Sequence, residues 1–164
     1  MCIRPWSSVH EMDEALIDNW NAVIRSDDTV WHLGDFSHKA DLKRLRAIFD
    51  KLNGTKHLVI GNHDRSDTLR LPWASKQQMA EIAVDGERLV LLHYAMRVWP
   101  AQHRGAIHLF GHSHGRLIGT SVSTDVGVDA WGYRPVTLPE IKQRLVTQPV
   151  VEERSDSADV FDHN

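Results

Sequence analysis

The sequence predicts an α/β domain in which helices and strands alternate along the chain. Apolar residues recur at helical spacing in two segments, about residues 8–25 and 42–52, and short apolar runs of strand length lie between and after them. Four of these runs are followed directly by side chains that bind metals. Because ligands of open α/β sheets bind at the carboxyl ends of strands, this placement supports the same fold class.

Local signals define the individual elements. Ser8-Val9-His10-Glu11 has the capping-box pattern and begins the first helix, and Asn53-Gly54 ends the second. Asp85-Gly86 predicts a hairpin between the third and fourth strands. The polar, irregular residues 65–78 are predicted to form a surface loop. The predicted strands are 29–33, 57–60, 79–84, 88–92, 106–110 and 124–129, and a last short helix covers 139–146.

The composition is that of one soluble globular domain. The chain has 164 residues, of which 41% are apolar and 25% charged, and its net charge of −3 gives no bulk attraction to nucleic acid. No apolar run reaches the roughly 20 residues that span a bilayer. The single Cys2 and the lack of a signal-peptide core favour a cytoplasmic protein. We expect a domain over residues 1–148 and an acidic, disordered tail over 149–164.

The motifs that follow the apolar runs are the most informative part of the chain. They are Gly34-Asp35-Phe36, Gly61-Asn62-His63-Asp64, Leu92-His93-Tyr94 and Gly111-His112-Ser113-His114-Gly115. A carboxylate can bridge two cations, an amide adds a neutral oxygen, and imidazole nitrogens suit Mn, Fe, Zn or Ni. Two cations about 4 Å apart acidify a water molecule and hold phosphoryl oxygens. The motifs are therefore typical of a two-metal centre that cleaves phosphoesters.

In this order the motifs resemble those of the calcineurin-like metallophosphoesterase superfamily, especially its small bacterial and phage members. The family's motifs are Asp-x-His, Gly-Asp, Gly-Asn-His-Asp/Glu, a His after an apolar strand, and Gly-His-x-His, and the second to fifth lie between Gly34 and Gly115. The resemblance implies a four-layer αββα sandwich of two mixed sheets. It also implies hydrolysis of a phosphomonoester or phosphodiester by a metal-bound hydroxide at a dinuclear site, with manganese as the expected metal and iron, zinc or nickel as alternatives.

The resemblance assigns roles to individual side chains. One metal site would consist of Asp35, Asn62, His93 and His112. The other would use Asp35 and His114 together with the Asp and the His of the family's first motif. His63 would face the leaving group as a catalytic acid or hydrogen-bond donor, and Asp64 is a candidate to orient it.

Three arginines lie close behind the motifs and are candidates for substrate binding, with solvated surface charge as the alternative: Arg65, Arg97 and Arg116. Among the remaining histidines, His38 is the further candidate for the site, because it follows Asp35 by three residues. Trp99 could line a substrate cleft or pack in the core.

The family's first motif, Asp-x-His, has no counterpart here, because no aspartate before Gly34 is followed two residues later by histidine. One interpretation, which we favour, is that the natural polypeptide starts further upstream and carries the first strand there. The other is a product that truly lacks this strand and binds one metal at most. It would then be an inactive metal-binding scaffold or a regulatory module on the same fold.

The expected partner is a small phosphoester substrate. A membrane partner is not expected, and a DNA-processing nuclease has less support because the chain shows no basic stripe. The sequence leaves open the natural substrate, the native metals and the oligomeric state.

Overall fold

The computed structural model describes residues 4–38 and 40–150 of the chain. Within these ranges the α-helices are α1 (Val9–Val23), α2 (Leu42–Lys51), α3 (Ser66–Leu69) and α4 (Leu138–Leu145). The strands are β1 (Thr29–His32), β2 (Thr55–Val59), β3 (Ser75–Gln77), β4 (Met79–Val84), β5 (Glu87–Leu92), β6 (Ile107–Phe110) and β7 (Ser123–Asp125). Short 3₁₀ turns cover Gln102–Arg104 and Val128–Ala130.

The strands form two sheets, which confirms the α/β sandwich expected from the sequence. One sheet has the order β1-β2-β3 and the other the order β4-β5-β6-β7. Only Gln78 separates β3 from β4, so the chain completes the first sheet before it begins the second. The described strands of the three-stranded sheet are all parallel, which differs from the mixed sheet we expected. The reason is that α2 and α3 connect these strands as crossovers, and crossovers produce parallel pairs.

Apolar side chains cover both faces of each sheet. Inward-facing residues of β2, β5 and β6 form the largest core cluster, to which α4 contributes Ile141 and Leu145. Successive residues of a strand point to opposite faces, so Leu58 packs outward with Phe49 of α2. In the same way Val90 packs outward against Trp99. Trp99 is therefore a core residue whose indole nitrogen donates to the Ala106 carbonyl at 2.7 Å.

The predicted hairpin turn and helix cap are both present, but one hydrogen bond of the capping box goes to Ser7 instead of Ser8. Ser8 caps α1 by accepting from the Glu11 backbone at 3.1 Å, whereas the Glu11 carboxylate reaches back to the backbone nitrogen of Ser7 at 2.9 Å. Asp85 and Gly86 have φ angles of 50° and 83°, which is the left-handed pair that a two-residue hairpin requires.

The prediction of a surface loop over residues 65–78 is wrong. This segment contains α3 and β3, and β3 extends the three-stranded sheet through the register His57–Ser75 to Val59–Gln77. Sequence patterns missed β3 because it is three residues long and polar, and its ladder depends on the partner strand rather than on apolar alternation.

Two sequence predictions fall outside the described ranges in whole or in part. Cys2 and residues 151–164 of the predicted tail are not described, and the boundary at residue 148 stays a prediction. At the end of the described chain, the Pro149 carbonyl accepts from the Ser121 backbone at 2.8 Å. None of the described helices is both long and apolar enough to cross a membrane.

Candidate metal centre

The motif loops meet at one edge of the sandwich because they follow the carboxyl ends of β1, β2, β5 and β6. Asp35, His93 and His112 each offer one ligand atom, and these atoms all lie within 4.8 Å of one another. The Asn62 side-chain oxygen joins them at 3.0 Å from His93 Nε2. The structure thus brings together the four side chains that were expected to form one metal site.

His93 lies at the centre of this cluster and is buried. Its Nδ1 donates to the Leu33 carbonyl at 2.7 Å. Since a carbonyl only accepts, Nδ1 carries a hydrogen, and in the neutral tautomer that fits this contact the lone pair is on Nε2. That nitrogen faces Asn62 Oδ1 at 3.0 Å, His112 Nδ1 at 3.2 Å and Asp35 Oδ2 at 3.4 Å.

Three atoms therefore converge at His93 Nε2, and two of them, Asn62 Oδ1 and Asp35 Oδ2, can only accept. Whichever tautomer His112 adopts, lone pairs face one another at this point. A divalent cation would accept all of these lone pairs, so the donor set of carboxylate, amide and imidazole groups fits a metal. Partial desolvation lowers the pKa of His112, the nearby His93 lowers it further, and Asp35 acts in the opposite direction. A lowered pKa favours the neutral imidazole, which is the form that binds metals.

The backbone at several ligands adopts a conformation that side chains other than glycine rarely take. Asp35, His112 and His114 have φ angles of 57°, 60° and 51°. Aspartate and histidine tolerate this left-handed region better than most residues, and such strained positions cluster at functional sites.

Glycines allow the loops of the two sheets to pack directly against each other. A Cβ on Gly34 would lie 2.5 Å from His93 Nδ1 and 2.6 Å from the Gly61 Cα. A Cβ on Gly61 would lie 2.4 Å from Asp35 Oδ1 and 2.9 Å from His93 Cε1. The glycines of the Gly-Asp and Gly-Asn motifs are thus required by close approach, in addition to the tight turn at Gly34.

Asp64 connects the loops that carry the oxygen ligands. Its buried carboxylate accepts from the backbone nitrogens of Asp35 and Gly61, each at 2.8 Å, and from that of Phe36 at 2.9 Å. The suggestion that Asp64 orients His63 is therefore wrong: its described hydrogen bonds all go to backbone nitrogens.

His63 is exposed beside the ligand cluster. Its backbone nitrogen donates to Asp35 Oδ1 at 2.8 Å, which places the residue next to that ligand. Its ring meets the ring of His38 edge-on, with centroids 4.9 Å apart and an interplanar angle of 87°. The histidine noted for its spacing from Asp35 thus contacts the predicted catalytic histidine.

His114 has a different environment from the other ligand candidates. Its Nδ1 lies 2.6 Å from Asp129 Oδ2, and Asp129 also accepts from Arg4 Nε at 2.9 Å. Burial alone would raise the pKa of Asp129, but the hydrogen bonds from Arg4 and His114 outweigh it and keep this pKa below its usual value. With Nδ1 donating to a carboxylate, the lone pair of His114 is on Nε2, as it is in His93.

Asp125 holds the Gly-His-x-His loop in place. Its buried carboxylate accepts from the Ser113 hydroxyl, from the Gly115 backbone at 2.8 Å and from the Gly127 backbone at 2.7 Å. This loop is therefore fixed by a side chain from the end of β7.

Comparison with known sequences agrees with this geometry. Residues 1–128 match the calcineurin-like phosphoesterase superfamily domain. The chain belongs to the calcineurin-like phosphoesterase superfamily. The family resemblance of its motifs is thereby confirmed.

Relatives of this calcineurin-like phosphoesterase occur in an archaeon and in phages. An uncharacterized protein of Methanocaldococcus jannaschii is 30% identical over 163 residues, which cover 94% of this chain and 87% of that protein. The Gene 66 protein of Mycobacterium phage D29 is 28% identical, with 87% of this chain and 86% of that protein covered. A crystal structure of a protein of unknown function from Aquifex aeolicus has the same fold, with a TM-score of 0.64, 23% identity, and 85% and 88% of the two chains covered.

Sequence reasoning missed the two aspartates that support the imidazole ligands of this superfamily member. Asp125 and Asp129 both lie within the predicted strand 124–129, and neither belongs to a motif. The partner of Asp129, Arg4, is 125 residues away in the chain, so no local spacing reveals the pair. The three candidate arginines, Arg65, Arg97 and Arg116, are all exposed.

Proposed function

We propose that this calcineurin-like phosphoesterase is a metal-dependent hydrolase of phosphomonoesters or phosphodiesters. The observation that carries this proposal is the convergence of Asp35, Asn62 and His112 on the unprotonated nitrogen of His93. A purely structural cluster would pair each acceptor with a donor, as buried polar groups normally do. Lone pairs that face one another are instead typical of a metal-binding site.

The ligand candidates of the chain would be shared between two cations. Asp35, Asn62, His93 and His112 would hold one cation, and Asp35 and His114 would contribute to a second. The cations, when bound, would lower the pKa of a water molecule and neutralise the charge of the phosphoryl oxygens. Manganese is the proposed metal, with iron, zinc or nickel as alternatives, because the donor set mixes oxygen with imidazole nitrogen.

His63 would act on the leaving group. Its ring is exposed beside Asp35, so an ester oxygen could approach it without displacing a ligand. A protonated imidazole there would donate its proton to the departing oxygen as the bond to phosphorus breaks. Because its backbone nitrogen is bonded to Asp35, the position of His63 is tied to that of the metal ligand.

A second candidate is a metal-binding scaffold or regulatory module on the same fold. It is favoured by the position of His114, whose described side-chain hydrogen bond goes to Asp129 and not to the Asp35–His93–His112 cluster. This version would bind one metal tightly, show no turnover and act through a partner. For both candidates, a reducing cytoplasmic compartment remains a prediction from the sequence.

The test is nitrophenol release from p-nitrophenyl phosphate and from bis(p-nitrophenyl) phosphate, with and without Mn²⁺, alongside measurement of bound metal. We expect metal-dependent hydrolysis of one or both esters. Asp35→Ala should lose metal and activity together, whereas His63→Ala should keep its metal and lose activity. Asp27→Ala and His10→Ala, on exposed positions away from the site, serve as matched controls. A wild-type protein that binds metal but is inert with every divalent cation would favour the scaffold.

A further inference from the structure

Three arginines on loops next to the proposed ligands have no counter-charge among the residues that the structure describes. In residues 4–38 and 40–150, no ion pair, side-chain hydrogen bond or ring contact involves the side chains of Arg65, Arg97 or Arg116. Every other arginine in these ranges has such a partner. Examples are Arg46 with Asp50 at 3.0 Å and Arg88 with Glu81 at 3.1 Å.

The three unpaired arginines each follow a proposed ligand closely in the chain. Arg65 follows the ligand Asn62 by three residues, Arg97 follows His93 by four, and Arg116 follows His112 by four. All lie on loops that leave the carboxyl ends of strands, and all are exposed. The arginines that lack a partner are thus those nearest the proposed ligands in the chain.

Carboxylates at the same edge are already engaged elsewhere. Asp64 and Asp125 accept from backbone nitrogens, and Asp129 accepts from Arg4. None of these carboxylates pairs with Arg65, Arg97 or Arg116, so the hydrogen-bond donors of the three guanidinium groups stay available for a ligand. Guanidinium groups bind phosphate with two parallel hydrogen bonds, so a group of them beside a cleft attracts phosphorylated molecules.

We propose that the substrate is a small phosphoester that carries a second phosphate group in addition to the one that is cleaved. This inference rests on the proposed function of the same site. The cleaved group would already be neutralised by the cations and by His63, so three further guanidinium groups exceed what one phosphate needs. They would bind the second phosphate and thereby orient the ester.

The second phosphate takes no part in the chemistry. Water forms the new oxygen–phosphorus bond, the bond between phosphorus and the ester oxygen breaks, and the ester oxygen leaves with one proton. A small molecule fits better than a nucleic-acid strand because the unpaired arginines of the described ranges are confined to three loops and the sequence shows no basic stripe.

The experiment compares substrates that differ only in the second phosphate. For diester hydrolysis the pair is the p-nitrophenyl ester of thymidine 5′-phosphate with and without a 3′-phosphate. For monoester hydrolysis it is adenosine 3′,5′-bisphosphate against adenosine 5′-phosphate. We expect kcat/KM to be higher for the bisphosphorylated member by about tenfold or more, as for the gain of a charge-assisted hydrogen bond. The preference should shrink as ionic strength rises.

Variants test whether the arginines cause the preference. Arg65→Ala, Arg97→Ala and Arg116→Ala should each lower kcat/KM for the bisphosphorylated substrate more than for its partner, and the triple variant should abolish the ratio. Arg→Lys changes should keep part of it, because the charge remains but the two-bond geometry is lost. Arg46→Ala and Arg88→Ala, which remove exposed but paired arginines, should leave the ratio unchanged.

Different failures have different meanings. Hydrolysis of both members of a pair with equal kcat/KM would overturn this inference and leave the phosphoesterase function intact. A preference that survives in the triple variant, or faster cleavage of a single-stranded oligonucleotide than of either bisphosphorylated probe, would also overturn it. No hydrolysis of any ester with any metal would overturn the proposed function itself.

Discussion

The two sheets supply different kinds of ligand to the proposed metal centre. The three-stranded sheet provides the oxygen donors Asp35 and Asn62, whereas the four-stranded sheet provides the imidazoles His93, His112 and His114. Each set is supported by one buried aspartate, Asp64 in the first half and Asp125 in the second.

These aspartates act over different distances. Asp64 ties together two loops that follow different strands, since it binds the backbone of Asp35 and of Gly61. Asp125 fixes the single Gly-His-x-His loop and a turn two residues after itself. The oxygen side of the site therefore depends on packing between loops, whereas the nitrogen side is mostly set within one loop. Damage to the first half should disturb more of the site.

The largest effect is expected in the first half, where its two ligand loops touch. Gly61→Ala would place a Cβ 2.4 Å from Asp35 Oδ1 and 2.5 Å from the Asp35 backbone nitrogen, so the loops must separate. We expect activity to fall about a hundredfold, as for a displacement of about 1 Å at a reacting centre. Stability should fall by about 1–3 kcal/mol. Nitrophenol release and thermal unfolding measure the two effects.

Gly111→Ala is the matched control for that change. Its Cβ would lie 3.2 Å from the Leu33 carbonyl, a contact that a small shift relieves. Equal loss of activity in both alanine variants would contradict the idea that the contact between the first-half loops at Gly61 is tighter than the contact between the halves at Gly111.

The two supporting aspartates can be compared directly. Asp64→Asn replaces one acceptor oxygen by a donor and leaves at least one backbone nitrogen unpaired, which costs about 1–3 kcal/mol in chemical denaturation. We expect Asp125→Asn to destabilise the protein by a similar amount. Asp64→Asn should reduce metal affinity more, by about 10–100-fold, because two ligand-bearing loops depend on it.

Isothermal titration with Mn²⁺ measures the difference in metal affinity. Asp67→Asn, on the same segment but in a loose pair with Arg70 at 3.8 Å, is the control and should bind metal normally. If Asp125→Asn weakened binding more than Asp64→Asn, the distinction between the halves would be reversed.

His108, on β6 in the second half, makes the stability of the protein depend on pH. It is fully buried, its Nδ1 donates to the Val90 carbonyl at 2.9 Å, and its Nε2 accepts from the Met96 backbone at 3.0 Å. Burial lowers its pKa below the usual 6.5, so the folded protein binds fewer protons than the unfolded chain. The stability due to neutral His108 is therefore complete above about pH 6.5 and is lost as the pH falls.

Denaturation of the metal-free protein between pH 8 and 5 tests this effect. The free energy of unfolding should decrease below about pH 6.5 by up to about 1.4 kcal/mol per pH unit from this group. Burial also lowers the pKa of His32, and partial desolvation that of His112, so all three histidines contribute to the wild-type curve. His108→Gln, which can make both hydrogen bonds without titrating, should have a flatter curve. A curve parallel to that of the wild type would refute the assignment to His108.

The smallest effect is expected at His38. His38→Ala removes the ring that contacts His63, and we expect kcat to fall about three- to tenfold while bound metal is unchanged. His38→Phe keeps an aromatic ring at the contact and should recover most of the rate. If both variants lose the same activity, the ring contact is not what matters.

The sequence predicted those parts of the fold that have strong local signals. β1, β2, β5 and β6 end in recognisable ligand motifs, and the hairpin follows from Asp85-Gly86. Sequence patterns did not predict β3, because its three polar residues acquire strand structure only from pairing with β2.

The residues of the site were likewise predictable only where the sequence carries a local signal. Asp35, Asn62, His93 and His112 were predictable because each directly follows a strand, and the structure places them together. The role of Asp64 was not predictable from its place in a motif, because its hydrogen bonds go to backbone atoms of another loop. Asp129 was not predictable either, since it is held by Arg4 from the opposite end of the chain.

The single residue between β3 and β4 has a consequence for how metal and folding are linked. Because the oxygen donors precede Gln78 and the imidazoles follow it, a cation held by both sets joins two successive segments of chain. Binding to the folded state alone raises its stability by mass action, by about 2.7 kcal/mol when the free metal is at 100 times its Kd. The melting temperature should then increase with Mn²⁺ concentration, and a chelator would weaken the association of the sheets as well as remove activity.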